Sequence, residues 1–323
     1  MAVLFPKARQ FSRKVRGAVA RSLADLGSRW QIRYQVAACL RFKNVARYLP
    51  EWIEFHHMVG VEHFYLYNNN SEDDYQSALA PYVRDGLVTL HEWPHIPAAP
   101  GADKHCVAHY GRQARWIAFL DDDEFLFPVK EGTLAEALEP YQAYPAVAVY
   151  WRMFGSNGHQ KRPEGLVISN YTRTAEKPDP HIKSVVNPRR ILRAKPSTHY
   201  WLYKHEQWAV DERFRPIKTS HGTEGVNEVL RINHYWSKSR EDGVAKFARG
   251  YIDRWGMENP RTMDKWREMD STMNAVEDTL ILRYEAELQA RLAARRMSLS
   301  EPRTTAEAAS RIPLFPARSQ ANS

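Results

Sequence analysis

Hydrophobic positions in the first third of the chain form short apolar runs separated by segments with helical spacing. Three of these runs are predicted strands: residues 35–40, 63–67 and 87–90. Between the first two, residues 48–58 place their apolar side chains on one face, which predicts a helix that ends at Gly60. A second helix is expected to run to Tyr82. Because strands that alternate with helices build a mainly parallel sheet with covered faces, the pattern predicts an α/β fold.

Farther along the chain, apolar runs become sparse and loops dominate as far as Tyr235. Four strands are predicted in this part: residues 116–120, 146–150, 166–168 and 184–186. Helical spacing returns over residues 275–297, which we predict to form one long helix. After that helix the sequence is polar and contains three prolines, a composition that predicts a disordered tail.

Acidic residues are concentrated at the end of one predicted strand, where Asp121 to Glu124 follow the apolar residues 116–120. Open α/β sheets bind ligands at the carboxyl ends of their strands. If the extended geometry continues, Asp121 and Asp123 point the same way and Asp122 points elsewhere. Carboxylates at such a position hold a divalent cation that neutralises a diphosphate. We therefore expect a cation site here, and the apolar flanking residues disfavour a merely solvated acidic turn.

Charge and cysteine content restrict the partners and the compartment. A formal charge of +8 favours anionic partners, without choosing between nucleic acid, an acidic membrane and phosphorylated substrates. Two cysteines, Cys39 and Cys106, are too few for a disulfide scaffold, which indicates a reducing compartment. No run approaches the roughly 18 apolar residues of a membrane span. We therefore expect a cytoplasmic protein.

Residues 1–33 carry much of the positive charge, and their apolar residues recur at spacings near four. This pattern predicts a basic amphipathic helix. Peripheral contact with an anionic membrane is one interpretation of such a helix. A solvated helix, or one packed on the domain, is the other, and the sequence leaves both open.

Several motifs occur in one order along residues 35–250: Lys43-Asn44, 48–56, 60–67, 69–74, 119–126, 151–159, 162–166, Lys183-Ser184 and 232–239. Together they resemble glycosyltransferase family 92 and the closely related family 2-like bacterial enzymes. The resemblance implies a GT-A-type fold, with a mostly parallel sheet flanked by helices, a loop-rich acceptor half and C-terminal helices. It also implies Mn²⁺ or Mg²⁺, a UDP-sugar donor (UDP-galactose in characterised members), a glycan or glycolipid acceptor and inversion at the anomeric carbon.

The resemblance also implies roles for individual residues on the donor side. The implied donor-binding residues are Lys43, Asn44, Asn69, Asp73 and Asp121, with Lys183 and Lys238 as candidates to pair with the diphosphate. The implied metal ligands are Asp121, Asp123 and His234. The chain departs from the family where Val45 replaces a frequent Glu, where Asn68 replaces a frequent Asp, and over residues 101–104. These departures affect the expected contacts to the nucleotide.

An inverting displacement needs a general base on the side of the sugar away from the leaving group, normally a carboxylate. Four acids of the acceptor half are candidates: Glu164, Asp211, Glu212 and Glu224. We favour Asp211 and Glu224 from their spacing downstream of Asp123, and the choice stays open. The loop 154–159 contains two glycines that let its backbone approach a sugar closely, although an ordinary turn is the alternative. The predicted substrate-binding residues are Trp151, Gly155, Ser156 and His159.

These interpretations divide the chain into a basic helix (residues 1–33), a glycosyltransferase domain (34–250), a helical region (251–297) and a tail (298–323). Within the domain, residues 34–130 are the expected nucleotide-sugar half and 131–250 the acceptor half.

Three other functions compete with this interpretation. A catalytically silent relative that binds a sugar or a nucleotide is suggested by Val45, whereas the intact Asp121 and Asp123 argue against it. A nucleic-acid-binding protein is suggested by the charge, but no basic motif is present and the acidic segment would repel phosphate, so nucleic acid is not an expected partner. A nucleotidyltransferase ranks lowest because residues 41–47 are not a glycine-rich phosphate loop.

Overall fold

The computed structural model describes residues 31–96, 98, 101–194, 199–249 and 262–300. The predicted basic helix of residues 1–33 lies outside this range except for its last three residues, and so does the predicted tail from residue 301 onward. Across the described residues, no helix has both the length and the apolar character needed to cross a bilayer.

The described strands are β1 (Tyr34–Phe42), β2 (His63–Asn68), β3 (Val88–Glu92), β4 (Ala114–Leu120), β5 (Glu124–Pro128), β6 (Ala146–Met153), β7 (Arg173–Thr174), β8 (Asp179–Val186), β9 (Ile191–Ala194), β10 (Trp201–Tyr203), β11 (Ala209–Val210), β12 (Pro216–Ile217), β13 (Leu230–His234) and β14 (Val276–Glu277). The described α-helices are α1 (Leu49–Met58), α2 (Tyr75–Arg84), α3 (Gly101–Tyr110), α4 (Leu134–Leu138), α5 (Val167–Asn170), α6 (Arg240–Ala248), α7 (Met263–Thr272) and α8 (Glu285–Ser300). Short 3₁₀ turns occupy Glu139–Tyr141, Pro188–Arg190, Lys204–Glu206 and Leu280–Tyr284.

One sheet contains ten of these strands. Its main path runs β12-β11-β6-β8-β4-β1-β2-β3, and β13 joins β5 to β6. Strands β3, β2, β1 and β4 are parallel neighbours. Strand β8 runs antiparallel between β4 and β6, whereas β6 is parallel to β11 and β13. The predicted α/β fold with a mostly parallel sheet flanked by helices is confirmed.

Alternate residues of the central strands enter two separate hydrophobic clusters. In β1, Val36, Ala38 and Leu40 pack in the cluster that contains α1, whereas Ala37 and Cys39 pack in the cluster that contains α3. Successive side chains of a strand point to opposite faces, so both faces of the sheet are covered. Double burial explains why these strands read as continuous apolar runs.

Three features of the fold differ from the sequence prediction. Residues 166–168, a predicted strand, enter helix α5. The predicted helix 275–297 is wrong in its first part, where β14 pairs with β7 and a 3₁₀ turn precedes α8. Helix α3 was not predicted. Tertiary contacts override local propensity in such short segments.

Glu51 provides the tertiary contact that explains α5. Its two carboxylate oxygens accept the backbone N–H groups of Val167 (2.8 Å) and Ile168 (3.1 Å). These are donors that the start of a helix leaves without an intrahelical partner. Burial raises the pKa of Glu51 to about 7, against the lowering effect of the two hydrogen bonds. A side chain on α1 therefore sets the conformation of a distant segment.

We expect the variant Glu51→Gln to make stability less sensitive to pH. The folded-state pKa of about 7 lies above the ordinary value of 4.5, so the stabilising contribution of Glu51 is present below pH 4.5 and is lost as the pH rises to about 7. Between about pH 5 and about pH 8, the wild type should lose roughly 1–3 kcal/mol more unfolding free energy than the variant. Urea denaturation at both pH values measures the difference. The exposed-site variant Glu131→Gln should follow the wild type, and a wild-type pH response in Glu51→Gln would contradict the assignment.

Candidate functional site

The acidic segment after β4 is a turn and not an extension of the strand. Glu124 donates its backbone N–H to the carbonyl of Asp121 (3.1 Å), and the side chain of Glu124 accepts the N–H of Asp121 (2.8 Å). Side chains do not alternate in a turn. The expectation that Asp122 points away while Asp121 and Asp123 share one side is therefore wrong. Asp122 and Asp123 line one cavity, whereas Asp121 faces Lys183.

This cavity has a volume of about 790 Å³ and lies between the loop after β1, the acidic turn and the segment that leads into α6. Its charged lining residues are Lys43, Arg47, Arg162, Lys238, Lys246 and Arg249 among the cations, and Glu72, Asp73, Asp122, Asp123 and Asp242 among the acids. Six cationic side chains thus share one space with five acidic ones. The acids prevent a uniformly positive surface, because they pair with part of that charge.

Asp123 lies at the centre of these charges. Its Oδ2 is 2.6 Å from the Lys246 ammonium, and its Oδ1 is 3.3 Å from His234 Nε2. Burial alone would raise the pKa of Asp123, but Lys246 and His234 outweigh burial and hold the pKa well below the usual range. The carboxylate is therefore ionised. Neighbouring Asp122 is 3.5 Å from both the Lys238 ammonium and the Arg249 guanidinium.

Asp121 belongs to an adjoining cluster. Lys183 Nζ lies 2.7 Å from Asp121 Oδ2 and 3.4 Å from Glu124 Oε2, and Arg41 lies 3.4 Å from Asp121 Oδ1. Burial opposes ionisation of Asp121, yet Lys183 and Arg41 hold its pKa well below the usual range. Burial raises the pKa of Glu124 to about 7. Lys183 is 1% exposed, whereas the Asp121 side chain is 37% exposed, so the carboxylate is the accessible member of the pair.

The donor atoms at the acidic turn fit a divalent cation in their chemistry, because carboxylate and imidazole suit Mn²⁺. Asp123 and His234 are in contact, and the buried Nδ1 of His234 has no hydrogen-bond partner among the described residues. Asp121, the third predicted ligand, is turned toward Lys183. Across the described ranges, no group of three or more His, Cys, Asp or Glu side chains is arranged to hold a metal ion. The structure thus brings together two of the three predicted ligands.

Four of the predicted donor-binding residues line the cavity: Lys43, Asn44, Asp73 and Lys238. Asp73 accepts the N–H of Ala46 (2.7 Å) with one oxygen, and its other oxygen is buried without a hydrogen-bond partner in the described part of the chain. The Lys238 ammonium is 3.9 Å from the centre of the Tyr48 ring. Asn69 lies elsewhere, since its amide donates to the carbonyls of Trp93 (2.7 Å) and His95 (2.9 Å).

The predicted sugar-binding loop packs against the C-terminal region and does not line the cavity. Ser156 donates its N–H and its hydroxyl to Asp270, each at 2.7 Å. A side chain at Gly155 would collide with Asn274, which explains the glycine. His159 Nε2 lies 3.2 Å from the carbonyl oxygen of Asn170. Trp151 is placed differently: its ring centre lies 4.4 Å from that of His234, beside the acidic turn.

Neither favoured general base lines the cavity. Asp211 is fully buried and accepts the N–H groups of Arg213 and Arg215, each at 2.9 Å, together with the Arg215 side chain at 2.6 Å. These bonds hold a tight turn after β11. Glu224 is exposed and lies 3.8 Å from Arg215. Both carboxylates therefore have structural partners away from the acidic turn.

Sequence reasoning missed several cationic residues of the cavity, above all Lys246 and Arg249. These two lie three residues apart at the end of α6, a spacing that places side chains on the same helix face. Helix α6 begins directly after the motif 232–239, and this position in the sequence could have indicated Lys246 and Arg249. Arg47 and Arg162 likewise adjoin or belong to quoted motifs.

The fold places an acidic turn at the carboxyl end of a central strand, beside a cavity lined by six cations and five acids. This edge is where open α/β sheets bind their ligands. The family model for glycosyltransferase family 92 matches residues 35–291. The chain belongs to glycosyltransferase family 92.

Plant members of the family are among its relatives. One from Ricinus communis is 28% identical over 238 residues, covering 69% of this chain and 39% of that protein. One from Arabidopsis thaliana is 27% identical over 261 residues, covering 76% of this chain and 43% of that protein. The chain thus spans less than half the length of these relatives.

Solved structures show a weaker likeness. Staphylococcus aureus TarS 1–349, in complex with UDP, has a TM-score of 0.34 at 10% identity, covering 48% of this chain and 47% of that chain. Glucosyl-3-phosphoglycerate synthase from Mycobacterium tuberculosis, in complex with Mn²⁺, UDP and glucosyl-3-phosphoglycerate, has a TM-score of 0.26 at 15% identity, covering 37% and 44%. Such TM-scores are too low to support a functional comparison.

We expect the variant Lys246→Met to destabilise the protein by about 3 kcal/mol, because it leaves Asp123 buried beside one fewer cation. The double variant Asp123→Asn/Lys246→Met should recover most of that loss. Urea denaturation of the two single variants and the double variant measures the coupling. Lys265→Met removes an exposed lysine of α7 and should change stability by less than about 0.5 kcal/mol. Additive effects of the Asp123 and Lys246 substitutions would show that the pair is not coupled.

Proposed function

We propose that this chain is a glycosyltransferase that moves a sugar from a nucleoside-diphosphate sugar, a UDP-sugar, to a hydroxyl of a glycan or glycolipid. Family membership supports the class of reaction. The observation that carries the proposal is the meeting of Asp122 and Asp123 with six cationic side chains around one cavity at the carboxyl end of β4.

The cations suit a diphosphate leaving group. Negative charge develops on the departing diphosphate as the bond to the sugar breaks, and preorganised cations stabilise that charge without reorganising. Lys238, Lys246 and Arg249 are held by acidic partners beside the turn, so their positions are set before the donor binds. Lys43 and Asn44 line the same cavity, and the nucleoside would lie beside them.

A divalent cation would be held by Asp123 and His234, with Asp121 as the third ligand if it leaves Lys183. Such an ion supplies further positive charge to the diphosphate. Asp121 is ionised and partly exposed, so it meets the chemical requirements of a ligand. When Asp121 leaves Lys183, Glu124 would remain as the acidic partner of that lysine at 3.4 Å.

We propose that transfer inverts the anomeric carbon, with the acceptor hydroxyl attacking from the side opposite the diphosphate. Neither Asp121 nor Trp151 lines the cavity. The silent-relative alternative predicts binding of UDP without turnover. Activity assays with UDP-sugars separate the two.

The variant Asp123→Asn should abolish Mn²⁺-dependent UDP release and weaken binding of UDP in the presence of Mn²⁺ by at least about tenfold. The carboxylate is the residue that contacts both Lys246 and His234, so its loss removes charge at the centre of the site. Calorimetry with UDP, with and without Mn²⁺, and an assay of UDP release from UDP-galactose measure the two effects.

The matched control is Asp264→Asn, which removes a carboxylate that is 84% exposed on α7. It should bind UDP like the wild type. If Asp123→Asn also binds and turns over like the wild type, the proposed site is wrong.

A further inference from the structure

Strand β8, which carries Lys183, begins with two further polar residues, Asp179 and His181. The register between β8 and β6 shifts in this part of the strand, because Tyr150 pairs with Ile182 whereas Trp151 pairs with Asp179. Lys183 contacts Asp121 at 2.7 Å. Strand β8 therefore joins a residue that contacts the acidic turn to a pair of partly exposed polar residues.

Asp179 and His181 form a hydrogen-bonded dyad. His181 Nδ1 lies 2.6 Å from Asp179 Oδ1, and the same oxygen accepts the backbone N–H of His181 at 2.9 Å. A carboxylate that accepts from Nδ1–H leaves the lone pair on Nε2, the tautomer that accepts a proton. No hydrogen bond engages His181 Nε2 within the part of the chain that the structure describes. The side chains are 39% and 30% exposed for His181 and Asp179, so a substrate has access to them.

Trp151 connects this dyad to the acidic turn. Its ring stacks on His181 with centroids 5.1 Å apart and meets His234 with centroids 4.4 Å apart. His234 in turn contacts Asp123. Trp151 is 9% exposed, and its Nε1 is buried without a hydrogen-bond partner among the described residues. Two rings, Trp151 and His234, thus connect the dyad to Asp123, and the dyad does not line the donor cavity.

We propose that His181, oriented by Asp179, is the general base of the transfer reaction. This inference rests on the proposed function. His181 Nε2 takes the proton of the acceptor hydroxyl as the acceptor oxygen forms its bond to the anomeric carbon. The bond from that carbon to the diphosphate oxygen breaks, and the electron pair leaves on the nucleoside diphosphate. Asp179 stabilises the imidazolium that forms.

Other histidine rings lie close to His181. The rings of His199 and His221 lie 6.3 Å and 3.8 Å from that of His181 between centroids, and burial followed by Lys183 lowers the pKa of His199 to about 3. Burial opposes ionisation of Asp179, but its hydrogen bonds to His181 hold its pKa below the ordinary value. The dyad thus pairs an ionised carboxylate with an imidazole. Asp211 is, by contrast, fully engaged by Arg213 and Arg215.

The test compares His181→Ala, Asp179→Asn and the wild type, each as the whole 323-residue chain, with Mn²⁺. The probes are UDP-galactose and UDP-glucose with water as acceptor, and the readouts are the rate of UDP release and the Kd for UDP. His181→Ala should lower kcat by about 10²–10⁴-fold with an unchanged Kd for UDP, and added imidazole should restore part of the rate. Asp179→Asn should lower kcat by at least about tenfold, because it no longer fixes the tautomer.

The control is His221→Ala, which removes an adjacent ring, 3.8 Å from His181 between centroids, and should keep kcat within about threefold. Normal turnover in His181→Ala overturns the assignment, and so does an equal loss in the control or a wild type that binds UDP but releases none from either sugar. A wild type that does not bind UDP with Mn²⁺ would instead refute the proposed function.

Discussion

The negative charge of buried acidic residues at the end of a central strand must be compensated by cations. Much of the site follows from that requirement. Removing a carboxylate from water costs several kcal/mol unless a partner charge lies nearby. Four consecutive acids, Asp121 to Glu124, therefore require cations from many parts of the chain. Lys183 comes from β8, Lys246 from α6 and Arg41 from β1. The chain is organised so that these elements meet at one turn.

The compensation is divided between two groups of partners. Asp121 and Glu124 share Lys183 in the interior, whereas Asp122 and Asp123 pair with cations that border the cavity. The interior group fixes the turn. The cavity group holds side chains that a ligand can contact, so a charged ligand would exchange partners with residues that are already in position. Preorganisation of this kind reduces the free energy needed to arrange the site.

The central fold could be predicted because both faces of its strands are buried. Continuous apolar runs such as those of β1 and β4 have few other interpretations when helices separate them. The short elements of the second half could not be predicted, since distant contacts decide them: Glu51 induces the turn α5, and β14 forms by pairing with β7. The sequence near these short elements does not indicate which distant residues they contact.

The site, like the fold, was predicted only in part. The acidic segment and Lys43, Asn44, Asp73 and Lys238 were identified from motifs, and the structure places them around one cavity or beside it. The predicted orientation of the Asp122 side chain was wrong, because the acidic segment forms a tight turn and does not continue the strand. The Asp179–His181 dyad was missed because the two residues match no quoted motif and their importance depends on the packing of Trp151.

The walls of the cavity are joined by hydrogen bonds between parts of the chain that are far apart in sequence. Arg249 donates to the carbonyl of Lys43 at 2.7 Å across 206 positions, and Tyr48 donates to Asp242 at 2.7 Å across 194. Closing loops of this length costs chain entropy, so these contacts form late in folding. During synthesis, the strand–helix units of the first hundred residues can collapse before α6 has left the ribosome. Ligand binding therefore reports on the completed domain, and a shortened chain that ends before α6 would retain much of the sheet without a closed cavity.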